Sequence, residues 1–268
     1  MKKKNVYIPL KLIAVVTFII MVTVNALSAL LPLNGLTPGE VSDSFPNLFA
    51  PAGITFSIWG LIYLLLTVYT LYLLGLFQGK ENHVNVDLLR KTGIVFSISS
   101  LINAAWIFSW HYKIIPLSMV LMVFLLICLI DISVIIDKQG LSPKEKLLIR
   151  LPFAVYFGWI TVATIANATV LLVSLGWSGF GLSEVIWTII ILAIGALICV
   201  ATLLRFKSTA YGLVLVWAYT GILIKHTSTS GFSSQYPGII IAISICLVLF
   251  TAAIVYVWMK NRAQNEAT

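Results

Sequence analysis

The sequence predicts an all-α polytopic membrane protein with about eight transmembrane helices, and three observations predict it. The first is composition. Of 268 residues, 60% are hydrophobic and only 10% charged, against roughly 25% charged in ordinary soluble chains. A small water-soluble globule leaves much of its surface exposed and cannot hide that much apolar area. The second is arrangement. Apolar residues form continuous runs at 9–31, 53–76, 92–110, 114–136, 150–174, 183–204, 209–225 and 238–259. A bilayer core about 30 Å thick takes helices of about 20 apolar residues, in which the backbone satisfies its own hydrogen bonds. The runs lack the alternation of barrel strands. The third is charge. With the N-terminus cytoplasmic, Lys2, Lys3, Lys4, Lys11, Lys80, Arg90, Lys91, Lys138, Lys144, Lys146, Arg150, Arg205, Lys207, Lys260 and Arg262 all fall inside, and only Lys113 and Lys225 fall outside. This asymmetry follows the positive-inside rule. Merging or dropping one span inverts every later loop and destroys it.

Taken in order, the first run follows Lys2–Lys4 and ends near Ala26-Leu27-Ser28, as a secretory signal does. It exceeds the 7–15 apolar residues of such a signal, so it is expected to stay as an uncleaved first helix. Residues 32–50 then form the longest outer loop. It opens with Pro32 and an Asn34-Gly35 turn and carries Glu40 and Asp43 with no basic residue. The second to fifth runs are joined by short segments. Residues 175–182 (LGWSGFGL) suit an interfacial turn, and 226–237 is rich in Ser, Thr and Gly. Three further runs complete the chain. Both termini are expected in the cytoplasm, and the protein in the cell membrane.

The net charge of +8 marks topology rather than nucleic acid, because the basic residues sit in short loops and build no basic domain. Cys128, Cys199 and Cys246 each lie in an apolar run, which implies packing. His83, His111 and His226 lie near loops, and no Cys/His spacing suits a metal. No nucleophile elbow, carboxylate pair, phosphate loop or triad spacing is present. Neither catalysis nor a required cofactor or metal is expected.

Polar groups within spans face other helices, since lipid offers no partner. Asn25, Asn103 and Asn167 serve either as interhelical hydrogen-bond glue or as the lining of a ligand cavity. Helical spacing puts Phe56, Trp59 and Tyr63 on one face of the second helix, and Asn103 and Trp106 on one face of the third. On the fifth, Trp159, Ala163 and Asn167 stack along a stripe. Such stripes serve packing as readily as binding. Asp131 is the one acid well inside a span, which makes it a candidate proton or cation site. A lone acid is thin support for a pump.

The stretch FAPAGITFSIWGLIY, residues 49–63, resembles the start of helix two in the TspO/translocator protein family, the tryptophan-rich sensory proteins, whose pattern is roughly PPGWVFxxVWxxLY. Pro51, Gly53, Phe56, Trp59 and Tyr63 match with one residue deleted. LINAAW resembles the family's LNxxW through Asn103 and Trp106. WITVATIAN resembles its WxxFAxxLN through Trp159, Ala163 and Asn167. The likeness covers roughly 10–175. It implies a five-helix core (1–178) with a three-helix extension (179–268), in a longer, divergent member. Three departures stand out, one being that residues 176–268 add three helices that small members of the family lack. The family's ligand-associated Trp is Ile54 here, and Pro152 lies seven residues before Trp159 rather than about four. A looser sterol-type pattern, Val216, Tyr219 and Lys225, falls on the seventh helix.

The resemblance implies binding, and transport or sensing, of a flat hydrophobic ligand such as a porphyrin or haem. The site residues would be Phe56, Trp59, Tyr63, Asn103, Trp106, Trp159, Ala163 and Asn167, with the outer loop as a cap. Partners are expected to be the bilayer, the ligand and, in a homo-oligomer, further copies; nucleic acid is not expected. Two alternatives stand beside it. One is a proton-coupled transporter of a small solute using Asp131. The other is a non-catalytic assembly or signalling partner.

Overall fold

A computed structural model describes residues 7–31, 33–78 and 85–266. Lys2, Lys3, Lys4, Pro32, Lys80 and His83 lie outside the described residues. Among the described residues there is no strand, and eight long helices occupy the eight apolar runs: α1 (Ile8–Leu30), α2 (Ile58–Leu74), α3 (Val86–His111), α4 (Ile115–Asp137), α5 (Leu151–Ser174), α6 (Glu184–Phe206), α7 (Thr209–Thr227) and α8 (Pro237–Glu266). Seven are long and apolar enough to cross a bilayer. The other is α7, 19 residues long with Lys225 and His226 in its last turn. Its tyrosines, threonines and glycines dilute its apolar character. The faces left uncovered are apolar, as in α8 at Ile241, Ile245, Val248 and Leu249, which suits hydrocarbon rather than water as the solvent.

Local chemistry sets the helix ends. Prolines open α1 and α4 at the first turn, where the missing N–H costs nothing. Asn85, Ser183 and Ser208 cap α3, α6 and α7 by accepting from Leu88, Ile186 and Tyr211 N–H. Ser142 and Glu145 form a capping box ahead of a π-turn at Lys146–Arg150, where Leu151 N–H reaches back to the Lys146 carbonyl. The turn lies directly before Pro152, which has no N–H to offer the regular helical ladder. The Asn34-Gly35 turn forms as read, with φ of 55° and 78°.

Packing divides the chain into two units. The first holds the chain up to Thr37 and Trp59–Phe157; in it α3 packs on α1 and α4. Asn34 Nδ2 donates to the His111 carbonyl at 3.1 Å, tying the first outer turn to the end of α3. The second holds Pro38–Ile58 and the chain from Gly158 onward; in it α6, α7 and α8 pack on one another. The outer segment is fastened to α7: Ala52 N–H donates to the Gly221 carbonyl at 2.9 Å, Trp217 Nε1 to the Thr55 carbonyl at 3.0 Å, and His226 Nε2 to the Leu48 carbonyl at 2.9 Å. Close approach demands glycine there, since a Cβ on Gly221 would run into the Thr55 side chain. Residue 178 falls within this second unit.

Candidate functional site

The eight residues singled out by helical spacing fall four into each unit. Trp59, Tyr63, Asn103 and Trp106 belong to the first; Phe56, Trp159, Ala163 and Asn167 belong to the second.

In the first unit they form one buried aromatic and amide cluster. Trp59 stacks on Tyr63, one helical turn away, with centroids 5.5 Å apart and planes at 15°. It lies tilted to Trp106 at 6.2 Å and edge-on to Tyr156 at 5.9 Å. Trp106 stacks in turn on Trp110 at 5.8 Å. Beside the rings runs a polar chain. Asn25 Nδ2 donates to Asn103 Oδ1 at 2.7 Å, and Asn103 Nδ2 donates to the Tyr156 hydroxyl at 2.9 Å. Asn25 also donates to the Met21 carbonyl at 2.9 Å. Both ends of the fully buried Asn103 amide are therefore engaged by protein, and they join α1, α3 and α5. The Tyr63 hydroxyl and His111 Nε2 are buried with no hydrogen-bond partner among the described residues. Such orphan groups are costly where no water reaches them.

In the second unit Phe56 meets Trp159 edge-on at 5.9 Å and 79°. Trp159 and Asn167 are buried, while Ala163 is half-buried. Ile54 stands on the surface of its turn, 60% exposed. Asp43 of the outer loop, which has no basic residue of its own, pairs with Lys225 at 2.9 Å. Tyr219 of the sterol-type pattern is buried, its hydroxyl on the Leu192 carbonyl at 3.1 Å, so the pattern serves packing. Asp131 lies on the exposed face of α4. Cys199 and Cys246 are buried and Cys128 half-buried, all as free thiols. The loop-side residues His111 and His226 are fully buried.

Two members of the first cluster escaped the sequence reading. Trp110 follows Trp106 by four residues and shared its face all along. Tyr156 precedes Trp159 by three, but its partnership with Asn103 belongs to tertiary packing.

The chain is thus a multi-pass helical membrane protein, with Trp59, Asn103 and Trp106 buried in its first unit and Trp159 and Asn167 buried in its second. A family model described as TSPO-like protein matches residues 11–256, and the chain belongs to that family. The likeness read over 10–175 therefore runs on through α6, α7 and most of α8. No curated protein and no solved structure matches it.

Proposed function

We propose that this protein binds a flat, conjugated hydrophobic molecule such as a porphyrin or haem, and moves or senses it without catalysing a reaction or requiring a cofactor. One observation carries the reading: the cluster around Trp59, with the orphaned Tyr63 hydroxyl within it. Flat ligands gain by exchanging ring–ring contacts for ring–ligand contacts, and a buried hydroxyl without a partner is a ready donor to a ligand's polar edge. Asn103 positions helices on this reading, since its amide is already engaged.

The membrane setting follows the charge distribution. We place both termini in the cytoplasm of a cell whose plasma membrane the chain crosses eight times, with α7 crossing over 209–225. Lipid and the ligand are its partners, and nucleic acid is not.

The test is titration of the detergent-purified full chain with protoporphyrin, followed by tryptophan fluorescence. Stacking on one ring is worth about 1–3 kcal/mol, so Trp59→Leu is expected to weaken binding about tenfold or more. Tyr63→Phe is expected to weaken protoporphyrin more than its dimethyl ester. No quenching in the folded wild-type protein overturns the reading.

A further inference from the structure

We propose that a cleft in the second unit binds a compact organic cation, an alkyl-substituted ammonium. The cleft measures about 260 Å³ and lies between the turn at Pro46–Leu48, the end of α5 and the start of α6. It shares no residue with the Trp59 cluster, so this inference stands independently of the porphyrin reading.

Two walls are indoles. Trp177 and Trp187 both line the cleft, with centroids 4.7 Å apart and planes at 59°, so their rings make a corner and not a stack. Phe180 braces them, edge-on to Trp177 at 5.4 Å. The corner is fixed in place. Trp187 Nε1 donates to the Gly179 carbonyl. Gly179 has φ of +66°, and a Cβ there would come within 2.7 Å of the Trp187 ring; only glycine lets the indole lie so close. The floor is equally fixed, because Asn47 spends its amide on its own turn, donating to the Phe45 carbonyl at 2.8 Å and accepting from Phe49 N–H at 3.1 Å.

The charge at the mouth selects the sign of the ligand. Glu184 is the one ionisable side chain among the described lining residues, with no lysine, arginine or histidine beside it. Among the described residues it has no ion-pair partner. At the start of α6, Ile186 and Trp187 N–H are taken by the Ser183 hydroxyl and carbonyl at 3.3 and 3.1 Å. Thr169 spends its hydroxyl proton on the Ile165 carbonyl at 3.0 Å, which leaves an acceptor facing the cleft and no donor. Indole faces attract cations, and Glu184 adds a carboxylate. A neutral molecule of the same shape gains the walls alone, and an anion is repelled. The volume suits a small ammonium rather than a peptide.

The experiment is calorimetric titration of the detergent-purified full chain with choline and with neohexyl alcohol, its uncharged carbon isostere. Choline is expected to bind about tenfold more tightly, the sum of a partly exposed cation–π contact and one carboxylate. Glu184→Gln is expected to lower choline affinity about threefold to fivefold and leave the isostere unchanged, while Trp177→Leu weakens both. Helical circular dichroism and gel filtration check that each variant is folded. Equal affinity for the two probes, no choline binding by the folded wild-type chain, or an unchanged preference in Glu184→Gln overturns the proposal. The wild-type comparison decides even if a variant fails to fold.

Discussion

Asn103→Leu is the sharpest test of how the first unit is held together. The substitution keeps the branched skeleton, with bulkier methyl tips, and removes two hydrogen bonds, the one accepted from Asn25 at 2.7 Å and the one donated to Tyr156 at 2.9 Å. Interhelical bonds in membrane proteins are each worth about 0.6 kcal/mol on average and up to about 1.7. Asn25 keeps its Met21 carbonyl, so it is left only half unsatisfied. The Tyr156 hydroxyl loses its Asn103 donor in a fully buried position. We therefore expect a loss of about 1–3 kcal/mol. Unfolding of the detergent-purified protein by added sodium dodecyl sulfate, followed by circular dichroism, measures it. A double-mutant cycle with Asn25→Leu isolates the amide–amide bond and should return a coupling of about 0.6–1.7 kcal/mol. A coupling near zero would show that the two amides do not share a bond, and the account of Asn103 as the joint between α1, α3 and α5 would fail.

Three further outcomes are expected. Gly221→Ala places a methyl against the Thr55 side chain and should destabilise the protein by about 1–3 kcal/mol; in a Thr55→Gly background the penalty should shrink, by the same unfolding measurement. A reporter fused after Thr268 should be cytoplasmic and one inserted within 228–235 external, and an external C-terminus refutes the eight crossings. A chain ending at residue 178 retains Trp59, Tyr63, Asn103 and Trp106 but lacks Trp217, Gly221 and His226, which bind the outer segment. We expect it to keep porphyrin quenching and to become protease-sensitive within 38–58; loss of quenching would tie the ligand site to the last three helices.

By itself the sequence determined the class of the molecule, the position of every long helix and which residues share a helical face. These properties are local. An apolar run in lipid must form a helix because no other backbone arrangement satisfies its own donors and acceptors, and a turn of 3.6 residues places Trp59 with Tyr63 and Asn103 with Trp106 whatever surrounds them. What the faces meet is not local, and only the tertiary structure decided it. Asn25 and Asn103 are 78 residues apart and His226 and Leu48 are 178 apart; no spacing rule links such pairs. Asn103 read as glue or as a ligand contact, and the sequence did not show that Asn25 and Tyr156 engage both ends of its amide. The outer loop showed Asp43 with no basic residue in its own segment, and only the fold brought Lys225 beside it. The cleft of Trp177 and Trp187 was out of reach for the same reason. Its walls come from a turn and from the first turn of the next helix, and it takes a glycine at 179 with positive φ and the fold of the whole second unit to bring two indoles and one carboxylate to the same opening.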